Sequence, residues 1–155
     1  MIKFAFVQWQ DYYDDAERYD AEVSFLNRDV EWYIQKAAAA GPKVLVCGCG
    51  TGRLVFPLAE AGLQVCGIDQ SRPMLERALQ KLRAIPENIK KKVRFVQADM
   101  RRFNLDDSFD CAMIPFNAVG HLHDEAQVLA TFESVRSHLK ASGKLLLDFM
   151  RPVPE

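Results

Sequence analysis

Three glycines at alternate positions, Gly48, Gly50 and Gly52, follow directly on the apolar run Val44-Leu45-Val46-Cys47. An apolar pattern with helical spacing (Leu54, Val55, Leu58, Ala59) comes next, so the stretch reads as a buried strand turning tightly into a helix. Side chains at the glycines would hold a ligand away from the main chain, and N–H groups at the opening of a helix have no partners within it. That combination suits a nucleotide-like ligand. Asp69 stands roughly 20 residues further on, where a carboxylate accepts hydrogen bonds from both ribose hydroxyls of a nucleoside. Asp99 follows a third apolar run, and Phe116 with Asn117 follows a fourth.

The glycine spacing separates two ligand classes. A dinucleotide asks for G-x-G-x-x-G with a small last residue, and counted from Gly48 and Gly50 that residue is Arg53. The tighter Gly48-Cys49-Gly50-Thr51-Gly52 pattern suits a nucleoside without phosphate, which disfavours a nicotinamide oxidoreductase. Asp69 serves either ligand. Other candidates have plain structural readings beside the chemical ones. His121, just past the fourth strand, can take a proton from an acceptor or bond the loop backbone. His121 with His123 lacks the third ligand a metal needs. Arg101 and Arg102 suit an acidic substrate or salt bridges to Asp106 or Asp107.

Positioning these residues requires alternating elements. Val30, Tyr33, Ile34, Ala37 and Ala38 share a helical face over 29–40, stopped by Gly41-Pro42. After the glycine turn a helix runs to about Ala61, with Pro57 imposing a kink or a tight first turn. Leu63–Ile68 reads as the second strand, Ser71 as the N-cap of a helix to about Arg83, Val93–Val96 as the third strand and Phe109–Ile114 as the fourth. A helix over about Asp124–Leu139 and a fifth strand over Gly143–Phe149 complete the pattern. Strands alternating with helices imply an open, doubly wound parallel sheet that binds ligands at the carboxyl ends of its strands, where every candidate residue falls. Upstream, Met1–Trp9 reads as a short strand. Gln10–Asp20, with three tyrosines and five acids, reads as an exposed aromatic-acidic segment or lid.

Composition narrows the setting. The chain has 155 residues, 49% of them hydrophobic, which fits one domain burying roughly 70% of its unfolded surface. A net charge of -1 points away from nucleic acid and anionic membranes, and Lys90-Lys91-Lys92 reads as a solvated loop. Cys47, Cys49, Cys66 and Cys111 all fall in or beside apolar runs, so buried reduced thiols and a cytoplasmic setting are expected. No apolar run approaches membrane-spanning length.

Val-Leu-Val-Cys-Gly-Cys-Gly-Thr-Gly-Arg, Gly67-Ile68-Asp69-Gln70-Ser71 with Met74-Leu75, Gln97-Ala98-Asp99-Met100, Phe109-Asp110 and Pro115-Phe116-Asn117 occur in that order. Together they resemble the successive motifs of class I S-adenosylmethionine-dependent methyltransferases, in register from about Val30 to Phe149. The resemblance implies a Rossmann-like α/β/α fold with strand order 3-2-1-4-5. It implies that residues 1–155 form a single S-adenosylmethionine-binding domain, 1–40 being an N-terminal lid and helix and 41–155 the core. By the same resemblance, Gly48, Cys49, Gly50 and Gly52 pass the cofactor, Gly48 and Gly50 beneath its methionine part, and Asp69 holds the ribose. Asp99 accepts from the adenine amino group, the Met100 backbone donates to the ring, and Phe116 and Asn117 flank the methionyl end. Tyr12, Tyr13 and Asp14 resemble a segment that folds over the cofactor.

Three departures accompany the resemblance. Val46 replaces an acid usual in the first strand. Gln70 replaces an apolar residue against adenine, shifting that packing to Met74 or Met100. The family's sheet has seven strands, and this sequence stops just past the fifth. The expected function is methyl transfer to a small-molecule acceptor, with a non-catalytic or incomplete cofactor-binding module as the alternative. The fifth strand is apolar enough for a sheet interior, and its outer edge invites a homodimer or the Ile2–Val7 segment.

Overall fold

The computed structural model describes residues 13–23 and 25–149, so the strand expected in Met1–Trp9, together with Tyr12, lies outside them. Helix α1 (Ala16–Val23) is followed by α2 (Val30–Ala40), β1 (Lys43–Cys47), α3 (Val55–Glu60), β2 (Gln64–Asp69) and α4 (Arg72–Ala84). Then come α5 (Glu87–Lys90), β3 (Val93–Gln97), β4 (Phe109–Ile114), a 3₁₀ turn (Ala118–His121), α6 (Glu125–His138) and β5 (Leu139–Leu147). The five strands form one parallel sheet, as the alternating pattern implies, in the order β3-β2-β1-β4-β5 that the family resemblance implies.

The helix boundaries follow local chemistry. The Ser71 hydroxyl accepts from the Met74 N–H with Pro73 in the first turn of α4, and Asp124 accepts from the Gln127 N–H at 2.8 Å to open α6. Pro57 sits in the first turn of α3, where its missing N–H costs nothing, so that helix is short and unkinked by it. The short α5 and the 3₁₀ turn carry no periodic signal and are additions to the expected pattern.

Alternate residues of the central strands supply two cores, one on each face of the sheet. Val44, Val46, Cys111 and Met113 pack with Tyr33 and Ala37 of α2 and Leu58 of α3. Leu45, Cys47, Ile68, Ala112 and Ile114 pack with Val135 of α6. Burial on both faces explains why β1 and β4 are almost wholly apolar. The edge strands β3 and β5 are half-exposed, and among the described residues no strand pairs with the outer edge of β5.

β5 differs from its expected span. It begins at Leu139, directly on the end of α6, and its ladder with β4 is irregular until Lys144 pairs with Cys111. All four cysteines are buried and free, and burial pushes each thiol upward in pKa, which makes them inert packing groups. No helix among the described residues is long and apolar enough to cross a membrane.

Candidate functional site

A cavity of about 670 Å³ opens over the carboxyl ends of the strands. Its walls include Tyr13, Gly48, Gly50, Asp69, Gln70, Met74, Asp99, Met100, Phe116 and His121, all singled out from sequence. Tyr19, Ser71, Arg101, Leu122 and His123 are further wall residues. Cys49, Gly52 and Asn117 do not line it.

The exceptions have packing reasons. Cys49 points downward into β2, where its sulfur lies 2.9 Å from the position a Cβ on Gly67 would take, so Gly67 is the space that lets the turn seat on the sheet. Gly52 has φ +89°, and a Cβ there would come within 2.5 Å of the Phe56 ring. Its role is to bring the turn against α3. Asn117 is turned toward Gly120, while its main-chain N–H donates to Asp148. Val46 is fully buried among Tyr33, Ala37 and Met113.

Asp69 sits at the centre of the floor. It accepts from the Gly50 N–H at 2.7 Å through one oxygen and from the Ser71 N–H at 2.8 Å through the other. The Gln70 N–H also faces this carboxylate, which keeps acceptor capacity for a ligand on the cavity side. Burial raises the Asp69 carboxyl above the usual range, against the pull of those N–H donors. Met74 is 1% exposed yet forms part of the wall, and Met100 joins it from the turn after β3.

At Asp99 the sequence reading needs correcting for Arg101. Arg101 pairs with neither Asp106 nor Asp107; it wraps Asp99, with Nε at 3.0 and 2.9 Å from the two oxygens and Nη2 at 2.5 Å. The Arg101 N–H adds a bond at 2.9 Å, and this guanidinium holds the Asp99 carboxyl below its ordinary range. Asp107 instead pairs with Lys43 at 2.7 Å.

The opposite wall comes from distant parts of the chain. Tyr13 Oη lies 2.9 Å from His121 Nε2, and the rings meet edge to face at 5.3 Å. Burial first, then neighbouring His123, lowers the His121 pKa, so the imidazole is neutral near pH 7. Burial and the Asp69 charge raise Tyr13. Phe116 and Asn117 both have φ +57°, and the Phe116 ring lies 4.6 Å from the Arg53 guanidinium carbon. Arg53 is itself fixed by Asp29 at 2.8 and 2.7 Å and by the Leu26 carbonyl.

In the aromatic-acidic segment Asp14, Asp15 and Glu17 are exposed as expected, while Tyr13, Tyr19 and Asp20 turn inward. Its described part folds as α1 and docks through Asp20, which accepts from Arg77 at 2.9 Å, from Lys81 at 3.0 Å and from the Thr51 hydroxyl. Burial opposes ionisation of Asp20, but those three donors outweigh it and lower its pKa. Tyr19 then comes to lie over Gly50. Asp20, Tyr19, Thr51 and Asp148 are site-building residues that the motifs did not reveal. The spacing of Ala16, Tyr19, Asp20 and Val23 on one helical face was the available signal for the first two.

Comparison with known proteins gives the same picture. Residues 44–143 match the family described as methyltransferase domain. A Geobacillus sp. (strain WCH70) protein that carries the name methyltransferase is 34% identical over 144 residues, covering 93% of this chain and 56% of the relative. The cypemycin N-terminal methyltransferase of Streptomyces sp. is 33% identical over 145 residues, 90% of this chain and 57% of that one. The chain thus spans little more than half the length of these relatives. The glycopeptide N-methyltransferase MtfA, solved with S-adenosyl-L-methionine, superposes with a TM-score of 0.71 at 29% identity over 77% of this chain and 52% of that one. Sequence motifs, sheet order and these likenesses agree, and the chain belongs to the class I S-adenosylmethionine-dependent methyltransferase family.

Proposed function

We propose that this chain binds S-adenosylmethionine in the cavity and takes part in methyl transfer to a small-molecule acceptor. The observation that carries the reading is Asp69, a carboxylate held by the Gly50 and Ser71 main-chain donors and presented at the cavity floor. The residues fit the cofactor. A volume of about 670 Å³ is the right scale for such a ligand, and Gly48 leaves the main chain open where a Cβ would sit 3.1 Å from Ala118. Asp69 would hold the ribose, Met74 and Met100 would flank the adenine, and Asp99 would face its amino group.

When bound, the cofactor supplies a methyl carbon made electrophilic by an adjacent sulfonium. Bond formation from the acceptor and cleavage of the carbon–sulfur bond are concerted and in line, so alignment and exclusion of water carry most of the rate. Phe116, Tyr13 and Leu122 line the wall where the acceptor would enter and would shield it from water. His121, neutral through burial, is suited to accept the acceptor's proton through Nε2 once Tyr13 yields it.

A second reading is favoured by the chain's coverage of about half of its relatives: a cofactor-binding module that needs further chain or a partner for catalysis. Calorimetric titration with S-adenosylhomocysteine and with NADH tests the binding. Saturable heat with the first and none with the second is expected, and the reverse would overturn the reading. Radiolabelled methyl transfer into a metabolite pool separates an active chain from a module. A homodimer through the outer edge of β5 belongs to the same proposal, and a clean monomer in light scattering would remove it.

A further inference from the structure

Asp148, at the end of β5, receives three hydrogen bonds that no regular element demands. The Phe116 N–H donates to Oδ2 at 2.7 Å, the Asn117 N–H to Oδ1 at 2.6 Å, and Tyr33 Oη to Oδ2 at 2.9 Å. The two main-chain donors belong to consecutive non-glycine residues, both at φ +57°. Asparagine tolerates that region, but for phenylalanine it is a true outlier that its surroundings must hold. Strain of this kind gathers at functional sites, and here it lies directly after β4, on the wall of the cavity.

We infer that Asp148 is a positioning residue for the ligand site: its carboxylate fixes the Phe116–Asn117 turn in the left-handed conformation, and the turn sets the Phe116 ring along the wall. The carboxylate suits this task because its two oxygens accept from two adjacent N–H groups at once, as one neutral amide oxygen does not. Tyr33, 1% exposed in the core, locks the carboxylate from behind. The ring is then clamped from its other side by Arg53 at 4.6 Å. Asp148 itself does not line the cavity and so acts only through Phe116.

The inference rests on the cofactor reading, in which this wall faces the sulfonium end and lies away from the adenosine. The test compares two probes, adenosine for the Asp69 end and sinefungin, which carries an amine-bearing carbon in place of the methyl-bearing sulfonium sulfur, for the far end. Asp148→Asn leaves one of the two N–H groups without an acceptor and is expected to weaken sinefungin about tenfold relative to adenosine, the scale of one donor left unsatisfied. Asn117→Ala in the otherwise native chain raises the cost of the same turn, because alanine tolerates φ +57° less well than asparagine, and must lower the ratio in the same direction. An unchanged ratio in either variant overturns the inference and leaves Asp148 a structural residue; should Asp148→Asn fail to fold, Asn117→Ala alone decides. If the native chain binds neither probe, the cofactor reading fails first.

Discussion

The two ends of the cavity are built in opposite ways. At the Asp69 end, Ser71 bonds to Asp69, Met74 to Ser71 and Arg101 to Asp99 within a few residues, and Gly50 reaches Asp69 from the neighbouring strand end, 19 residues away. Positive φ values there fall on glycines, which bear them freely. At the Phe116 end, Tyr13 reaches His121, Tyr33 reaches Asp148, and the residues at positive φ have side chains. One end is assembled as its strands and helices form. The other exists only after remote parts of the chain have met, and it stores strain in doing so.

The largest expected effect tests how rigid the first end is. Gly52→Ala must accept φ +89° and a Cβ about to enter the Phe56 ring, and should cost about 3 kcal/mol of stability in denaturant unfolding. A loss below about 1 kcal/mol would show that the turn yields, and the contrast between the ends would collapse.

Asp69→Ala comes next. Losing two charge-assisted ribose bonds should weaken S-adenosylhomocysteine by about 2 kcal/mol in calorimetry. Near-native affinity would move the site away from this carboxylate.

For the wall supplied by α1, Asp20→Asn should lower stability by about 1.5 kcal/mol, since Arg77 and Lys81 lose their charged acceptor. The pH dependence has a definite sign. Asp20 has a folded pKa below its unfolded one, so its contribution is complete above the ordinary carboxylate range and is lost as pH falls through the folded value. Thermal melts from neutral to acid pH should therefore fall more steeply for the native chain than for Asp20→Asn, and parallel curves would refute the anchoring role.

The smallest effect is Tyr13→Phe. Removing one hydrogen bond to His121 should speed ligand release by a factor of about 3, or about 0.7 kcal/mol, in stopped-flow measurements. No change would mean that the ring contact alone closes the wall.

The same contrast explains what was legible in the sequence. Gly48, Asp69 and Asp99 could be read because motif spacing and strand ends place them; the parallel sheet followed from alternation and its strand order from the family resemblance. Asp148 was hidden because nothing near it in sequence signals that its partners are Phe116, Asn117 and Tyr33. Asp20 resembled the acids around it, and only docking on Arg77 and Lys81 distinguishes it. Arg101 pairs with Asp99, which is neither of the two readings its sequence offers, an acidic substrate or salt bridges to Asp106 or Asp107, because the bend that returns it onto Asp99 is a feature of the folded turn. Cys49 and Gly52 belong to the legible motif, but which of its residues face the ligand depends on Gly67 and Phe56.

The Arg101–Asp99 chelate has a consequence for ionic strength. Four donor contacts already occupy the lone pairs of Asp99, so an adenine amino group must compete with a guanidinium for them. Both side chains are partly exposed, at 42% and 35%, and salt weakens such pairs. Added salt should then favour entry of the neutral adenine edge, so that affinity for an adenosine ligand rises modestly where a charge-steered ligand would lose it.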